Sequence, residues 1–220
     1  MSEALRSLSS TVAQALLRIG AVSLSPDAPY TWASGRYSPV YCDNRLAMAH
    51  PEVRSLIAQG FEQLIVSKRI TCDGIMGTAT AGIPHAAWLA ERMNLPMGYV
   101  RNKPKGHGRG NQIEGFSKAG SRVVVIEDLV STGMSSTAVI SPLREVEMSV
   151  EAVLAIFTYG LSAADVAFEK AGTPLHTLTS FPELIEEAAR SGSLSGENLT
   201  SLQDWYKDPS VWSAKHGGAE

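Results

Sequence analysis

Two acidic residues followed by a hydroxyl-rich turn form the stretch of sequence best suited to chemistry. Glu127 and Asp128 come directly after four β-branched residues, and serine, threonine and glycine dominate residues 131–136. Hydroxyls, flexible backbone and the start of a helix can present several N–H donors to a phosphate, with the helix dipole behind them. The two carboxylates cannot face a phosphate directly, but they can accept hydrogen bonds from sugar hydroxyls or hold Mg²⁺ through water. We therefore predict a phosphate cradle beside an acidic pair.

A basic segment from Arg101 to Gly110 supplies complementary charge. Pro104 and three glycines exclude a helix there and allow large movements. The cationic side chains alternate, so an extended backbone would turn all of them to one side. They are Arg101, Lys103, Lys105, His107 and Arg109. We predict a mobile lid that closes over a polyphosphate. A solvated charged turn is the alternative, and the absence of a stacking aromatic residue speaks against nucleic-acid binding.

A third segment, residues 78–83, consists mainly of small residues. The apolar stretch 74–77 precedes it and Pro84 follows it, which is the pattern of a strand, a loop and a helix. Small side chains let a backbone approach a ligand closely. Because ligands bind at the carboxyl ends of parallel strands, we expect this loop to lie at the same sheet edge as Glu127.

Alternating strand and helix patterns predict a doubly wound α/β fold with a mainly parallel sheet and flanking helices. The predicted strands are 74–77, 96–101, 123–126 and 150–159. The predicted helices are 5–19, one from Pro51, 84–93, one from Ser135, 163–171, 182–190 and 196–206. Tyr30 to Cys42 predicts a hood-like hairpin outside the main sheet. Pro142 should remove a backbone hydrogen bond from the helix that begins at Ser135 and bend it.

Composition bounds the possible classes of protein. The 220 residues are 44% hydrophobic, which suits one domain with a sizeable core. A net charge of −3 disfavours a general nucleic-acid binder. Cys42 and Cys72 have no metal-binding spacing and indicate reduced thiols. With no secretory or membrane-spanning segment apparent, we expect a soluble cytoplasmic protein without a membrane partner.

These segments together resemble the orotate phosphoribosyltransferases, a family of type I phosphoribosyltransferases. The resemblance extends over nearly the whole chain and is carried by residues 34–45, 101–108 and 127–135. The third segment marks the wider class, whereas the lysine and histidine loop after Arg101 points to the orotate enzymes. The resemblance implies one domain over residues 1–220 with the type I phosphoribosyltransferase fold, in which residues 1–45 form an N-terminal helix and a small hood.

The resemblance also implies an activity: transfer of phosphoribosyl from 5-phosphoribosyl 1-pyrophosphate to orotate, with Mg²⁺, in pyrimidine synthesis. Glu127 and Asp128 would hold the ribose hydroxyls, and Ser131 would also contact orotate. The implied wrapping of the 5′-phosphate involves Leu129, Val130, Ser131, Thr132, Gly133, Met134 and Ser135. Arg101, Lys105 and His107 would grip the pyrophosphate; Lys105, His107 and Asp128 are the implied catalytic residues.

The resemblance further assigns residues 78–82 to a pyrophosphate loop with a cis peptide bond between Ala79 and Thr80. The loop consists of Thr78, Ala79, Thr80, Ala81 and Gly82. It implies a homodimer whose lid reaches the neighbouring subunit's site, and Mg²⁺ held mainly by substrate and water, with no dedicated protein ligands.

Several positions depart from the family pattern. Ala33, Ala81 and Asn102 stand where many members have lysine, and Tyr159 stands near where some place an orotate-binding arginine. The sequence leaves two other activities open: a phosphoribosyltransferase for another base, and a regulator that binds phosphoribosyl pyrophosphate without turnover. The lysine and histidine on a glycine-rich lid speak against the regulator, which would need the cradle but not the lid.

Overall fold

The centre of the protein is a six-stranded sheet. The computed structural model describes residues 3–32, 34–101 and 112–219. The described strands are β1 Val22–Leu24, β2 Tyr30–Thr31, β3 Tyr37–Ser38, β4 Val40–Cys42, β5 Gly74–Thr78, β6 Met97–Val100, β7 Ile113–Gly115, β8 Arg122–Val130, β9 Ser149–Thr158 and β10 Leu175–Ser180. The sheet order is β10-β9-β8-β5-β6-β7, with every neighbouring pair parallel except β6 and β7. The predicted mainly parallel α/β architecture is confirmed.

Helices cover both faces of this sheet. The described helices are α1 Glu3–Arg18, α2 Pro51–Ser67, α3 Gly82–Met93, α4 Met134–Ala138, α5 Ile140–Glu145, α6 Ser162–Ala171, α7 Phe181–Arg190, α8 Gly196–Lys207 and α9 Pro209–Lys215, with a 3-10 helix at Asn44–Ala49. Val124 and Ile126 pack into one core and Val123 and Val125 into the other. Successive residues of β8 therefore meet different helices, which explains why this strand lacks polar alternation.

Strand β8 is longer than predicted. Its pairing with β5 ends at Ile126, but its pairing with β9 continues through Glu127 and Leu129 to Val130. The two acids therefore lie in the part of β8 that still pairs with β9 but no longer pairs with β5. The prediction that the strand ends at Ile126 was wrong, because β9 continues to supply a hydrogen-bonding edge after β5 has turned away.

Some elements were not predicted. Edge strand β10 reads Leu-His-Thr-Leu-Thr-Ser, so its polar residues hide the strand pattern, and β7 is only three residues long. The 3-10 helix at Asn44–Ala49 and helix α9 also lay outside the predicted helices. The proline prediction is confirmed: the helical path is interrupted at Val139, between α4 and α5, three residues before Pro142.

The predicted hairpin forms a small hood of two strand pairs. Strand β2 pairs with β3, and β4 pairs with β1, both antiparallel. Trp32 anchors the hood by ring contacts with Tyr159 and Trp205, at centroid separations of 5.8 and 6.1 Å. Trp32 is therefore a packing residue that joins the hood to the main core. In the described part of the chain, no helix combines the length and apolar character needed to cross a membrane.

Candidate active site

The two acids of β8 have different environments. Glu127 is only 7% exposed, and its carboxylate accepts three hydrogen bonds. Thr78 Oγ1 donates to Oε1 at 2.7 Å, Ser136 Oγ to Oε2 at 3.0 Å, and the Asp128 N–H to Oε1 at 3.0 Å. Thr78 ends β5 and Ser136 belongs to α4, so Glu127 connects three elements that surround the predicted cradle.

Burial governs the ionisation of Glu127. Removal from water penalises its charged form and raises the pKa of Glu127 to about 7. The hydrogen bond from Thr78 acts in the opposite direction by favouring the carboxylate, whereas the neighbouring Asp128 carboxylate adds to the increase. Glu127 is thus a buried acid whose charge state depends on pH near neutrality.

Asp128 faces the solvent side of the same strand. It is partly buried and lines a cleft of about 690 Å³. Thr80 and Ala81 of the predicted pyrophosphate loop line this cleft as well, and Leu129 is also at its wall. The structure thereby brings together one acid of the pair and the small-residue loop, as the sequence predicted.

The small-residue loop connects β5 to α3. Its Ala79–Thr80 peptide bond is cis, as the resemblance implied. The Ala79 N–H donates to the Val100 carbonyl at 2.9 Å, which fixes the start of the loop against β6. At Gly82 a Cβ would collide with the Ile126 carbonyl oxygen and lie 2.5 Å from Thr78 Oγ1. Glycine is therefore required where α3 begins, because the backbone passes directly beside β8.

The hydroxyl-rich turn follows β8 at residues 131–133 and leads into α4. Among the described residues, no protein acceptor is bonded to the backbone N–H groups of residues 131–135, as an anion-binding turn requires. Gly133 has a φ of +78°, which favours glycine, and it is packed against Ala167 and Phe168. The helix begins one residue before its predicted start and lasts only five residues, so its dipole is shorter than expected.

The basic segment contributes only its first residue to the described structure. Lys105 and His107, together with Lys103, Arg109 and Asn102, lie outside the described residues. Arg101 follows β6, its N–H donates to the Gln112 carbonyl at 2.8 Å, and its guanidinium lies 3.7 Å from Glu114 Oε1. Arg101 thus stands at the carboxyl end of β6, next to the end of β5 that carries the small-residue loop.

Residues of the hood also reach the site, although none of them was among the predicted site residues. Cys42, Asp43 and Arg45 line the cleft, and Asn44 donates from Nδ2 to the Asp128 carbonyl at 2.7 Å. The polar run Asp43-Asn44-Arg45 directly after an apolar strand was the available signal. Tyr159, in contrast, is 4% exposed and packs against Phe157 and Trp205.

The comparisons with known proteins agree with this geometry. A model of the phosphoribosyl transferase domain matches residues 47–166, which include the small-residue loop, the basic segment and the acidic stretch. The chain therefore belongs to the phosphoribosyltransferases.

The relatives define the family further. The chain is 51% identical over 204 residues to the orotate phosphoribosyltransferase of Cutibacterium acnes, covering 93% of this chain and 94% of that one. It is 52% identical over 200 residues to that of Halalkalibacterium halodurans, covering 91% and 95%. A crystal structure of orotate phosphoribosyltransferase from Aeropyrum pernix matches with a TM-score of 0.69 and 28% identity, over 84% of this chain and 99% of that one. The protein is a member of the orotate phosphoribosyltransferase family.

Replacing Gly82 should damage the site by overpacking. In Gly82→Ala the new methyl group meets β8 backbone and the hydroxyl that binds Glu127, so we expect a stability loss of about 1–3 kcal/mol and weaker binding of phosphoribosyl pyrophosphate. Gly196→Ala is the matched control, because nothing lies within 4 Å of its Cβ position. Chemical denaturation and calorimetric titration measure the two effects; equal behaviour of the two variants would contradict the close approach at Gly82.

The ionisation of Glu127 should appear in stability. Because its folded pKa lies above the ordinary value of 4.5, ionisation destabilises the folded state, and this cost develops as pH rises from about 4.5 to about 7. We expect wild type to lose on the order of 1–3 kcal/mol relative to Glu127→Gln between pH 4.5 and pH 8. Urea denaturation of both proteins across this range measures the difference, and a difference that is constant with pH would refute the assignment.

Proposed function

We propose that the protein transfers the phosphoribosyl group of 5-phosphoribosyl 1-pyrophosphate to orotate, giving orotidine 5′-phosphate and pyrophosphate in pyrimidine biosynthesis. The observation that carries this proposal is the cleft in which Asp128 meets Thr80 and Ala81. A ribose bearing phosphates at both ends needs an acid for its hydroxyls between two groups of N–H donors. Asp128 in the cleft supplies the acid. The small-residue loop supplies one group of N–H donors, and the turn after β8 supplies the other.

Each part of the substrate has an assigned partner in this proposal. The carboxylate of Asp128 accepts hydrogen bonds from the ribose hydroxyls, with Glu127 directly behind it. The N–H groups of residues 131–135 bind the 5′-phosphate, and the backbone of residues 79–81 approaches the pyrophosphate. Ser131 begins the turn three residues after Asp128 and is the proposed contact for orotate.

The reaction breaks the bond between ribose C1′ and a pyrophosphate oxygen and forms a bond between C1′ and the orotate nitrogen. The bonding electrons leave with the pyrophosphate, so positive charge develops on the ribose ring in the transition state. Asp128 stabilises this charge, and cations at the leaving group stabilise the departing anion. Arg101 and the lid residues Lys105 and His107 are the proposed cations, and orotate needs no strong base because it reacts as an anion.

Mg²⁺ is the proposed cofactor. When bound to the pyrophosphate it would neutralise part of the leaving group's charge. Among the described residues, no group of three or more His, Cys, Asp or Glu could hold a metal ion. We propose that substrate oxygens and water hold the ion, close to the Asp128 carboxylate that lines the cleft.

A homodimer in the cytoplasm is the proposed functional unit. The lid of one subunit would reach the pyrophosphate of its neighbour, so that each site combines a cradle from one chain with Lys105 and His107 from the other. Met48 lines the cleft and is exposed, and Tyr41 and Leu46, which neighbour the lining residues Cys42 and Arg45 in the sequence, are also exposed; these apolar side chains support an interface at this edge.

The direct test is the loss of orotate ultraviolet absorbance in the presence of phosphoribosyl pyrophosphate and Mg²⁺. We expect turnover with orotate and none with adenine, guanine or hypoxanthine as controls. Turnover with one of those bases would instead support a salvage transferase on the same fold. Tight binding of phosphoribosyl pyrophosphate without any turnover would support a regulator.

Subunit mixing tests the shared site. Asp128→Asn and Lys105→Ala should each be nearly inactive, because one loses the ribose acid and the other a lid cation. Random exchange makes about half of the dimers mixed, each with one intact site, so about a quarter of wild-type activity should return. Mixing Asp128→Asn with Gly82→Ala is the control, since both changes damage the cradle. No recovery in the first mixture would contradict catalysis across the interface.

A further inference from the structure

Asp128 is held by its backbone on both sides. Its N–H donates to Glu127 Oε1 at 3.0 Å, and its carbonyl accepts from Asn44 Nδ2 at 2.7 Å. Neither bond uses its carboxylate, which is left to line the cleft. The backbone that carries this side chain is therefore bonded to two partners, one within β8 and one in the hood.

Asn44 is unusual for a buried polar residue. It is 1% exposed, and only one half of its amide is used: in the described part of the chain, Oδ1 has no hydrogen-bond partner. The short contact with a carbonyl oxygen requires the NH₂ group to face Asp128, which fixes the orientation of the amide. Burial of an unsatisfied oxygen costs stability, so the fold gains nothing obvious over an apolar residue of the same size. Such violations of local rules concentrate at functional sites.

The position of Asn44 is fixed by the hood. It follows β4, which pairs with β1 through the register of Val22 with Cys42. The preceding residue, Asp43, donates its N–H to the Ala21 carbonyl at 2.7 Å and accepts from the Arg45 N–H at 3.1 Å. Asn44 is thus the first residue of a capped 3-10 helix and cannot move without the hood.

We infer that Asn44 is a positioning residue for Asp128, through which the docked hood sets the orientation of the carboxylate that binds the ribose. This inference deepens the proposed function and rests on it. Asn44 does not touch the reacting atoms in this account. It acts through the Asp128 peptide, so that binding of the sugar phosphate depends on a contact between segments 84 residues apart in the sequence.

A double-mutant cycle tests this inference. Asn44→Leu keeps the number and branching of the side-chain heavy atoms and removes the donor, and we expect the Kd for phosphoribosyl pyrophosphate with Mg²⁺ to rise about five- to tenfold. In the Asp128→Asn background the same substitution should change Kd by less than about twofold, because its effect is transmitted through that carboxylate. Calorimetric titration measures all four proteins, and Asn44→Ser, which is too short to reach the carbonyl, repeats the cycle should Asn44→Leu fold poorly.

Ser9→Ala is the matched control for a lost buried hydrogen bond. Ser9 Oγ donates to Thr179 Oγ1 at 3.2 Å between α1 and edge strand β10, so this variant should lose stability and retain the wild-type Kd. An unchanged Kd in Asn44→Leu, or equal losses in both backgrounds, would overturn the positioning role. Absence of binding by the wild-type protein would be a different result, since it would refute the proposed function itself.

Discussion

The site depends on the hydrogen bonds that the buried carboxylate of Glu127 accepts. It accepts hydrogen bonds from Thr78 on β5, from Ser136 on α4 and from the backbone of Asp128. A charge this deeply buried is costly unless its lone pairs are used, so the end of β5 and helix α4 must stay where they can donate. The same requirement leaves Asp128, and not Glu127, as the acid that meets the cleft.

This division of labour follows from the geometry of a parallel sheet. Strand β8 continues beside β9 after its pairing with β5 has ended, which opens a gap next to Glu127 and Asp128. The small-residue loop crosses that gap, and Gly82 lets its backbone pass beside β8. The hood closes the remaining side through Asn44. In the proposed function these three segments have different tasks: the small-residue loop supplies N–H donors, β8 supplies the acid, and the hood holds the Asp128 peptide through Asn44.

Local sequence patterns revealed the parts of the site but not their connections. Each of these parts has a local signal in the sequence. The β-branched run before Glu127 predicts a buried strand, and the small residues after Gly77 predict a loop that can approach a ligand closely. The glycines around Lys105 exclude a helix there, and Pro142 predicts a disturbed helix. The partners of Glu127 lie at Thr78 and Ser136, and the partner of Asp128 lies at Asn44, at sequence separations that no periodicity encodes. Strand β10 escaped prediction for a related reason, since its edge position permits polar residues. The sequence assigned the ribose hydroxyls equally to Glu127 and Asp128. Only their different burial in the structure distinguishes the two acids.

A crystal structure with phosphoribosyl pyrophosphate and Mg²⁺ is the most direct test of this account. The account predicts that a ribose hydroxyl lies within hydrogen-bond distance of the Asp128 carboxylate, while Glu127 still accepts from Thr78 and Ser136 and Asn44 still donates to the Asp128 carbonyl. A complex in which Glu127 has left Thr78 and Ser136 to bind the sugar, with Asp128 turned away from it, would contradict the central claim.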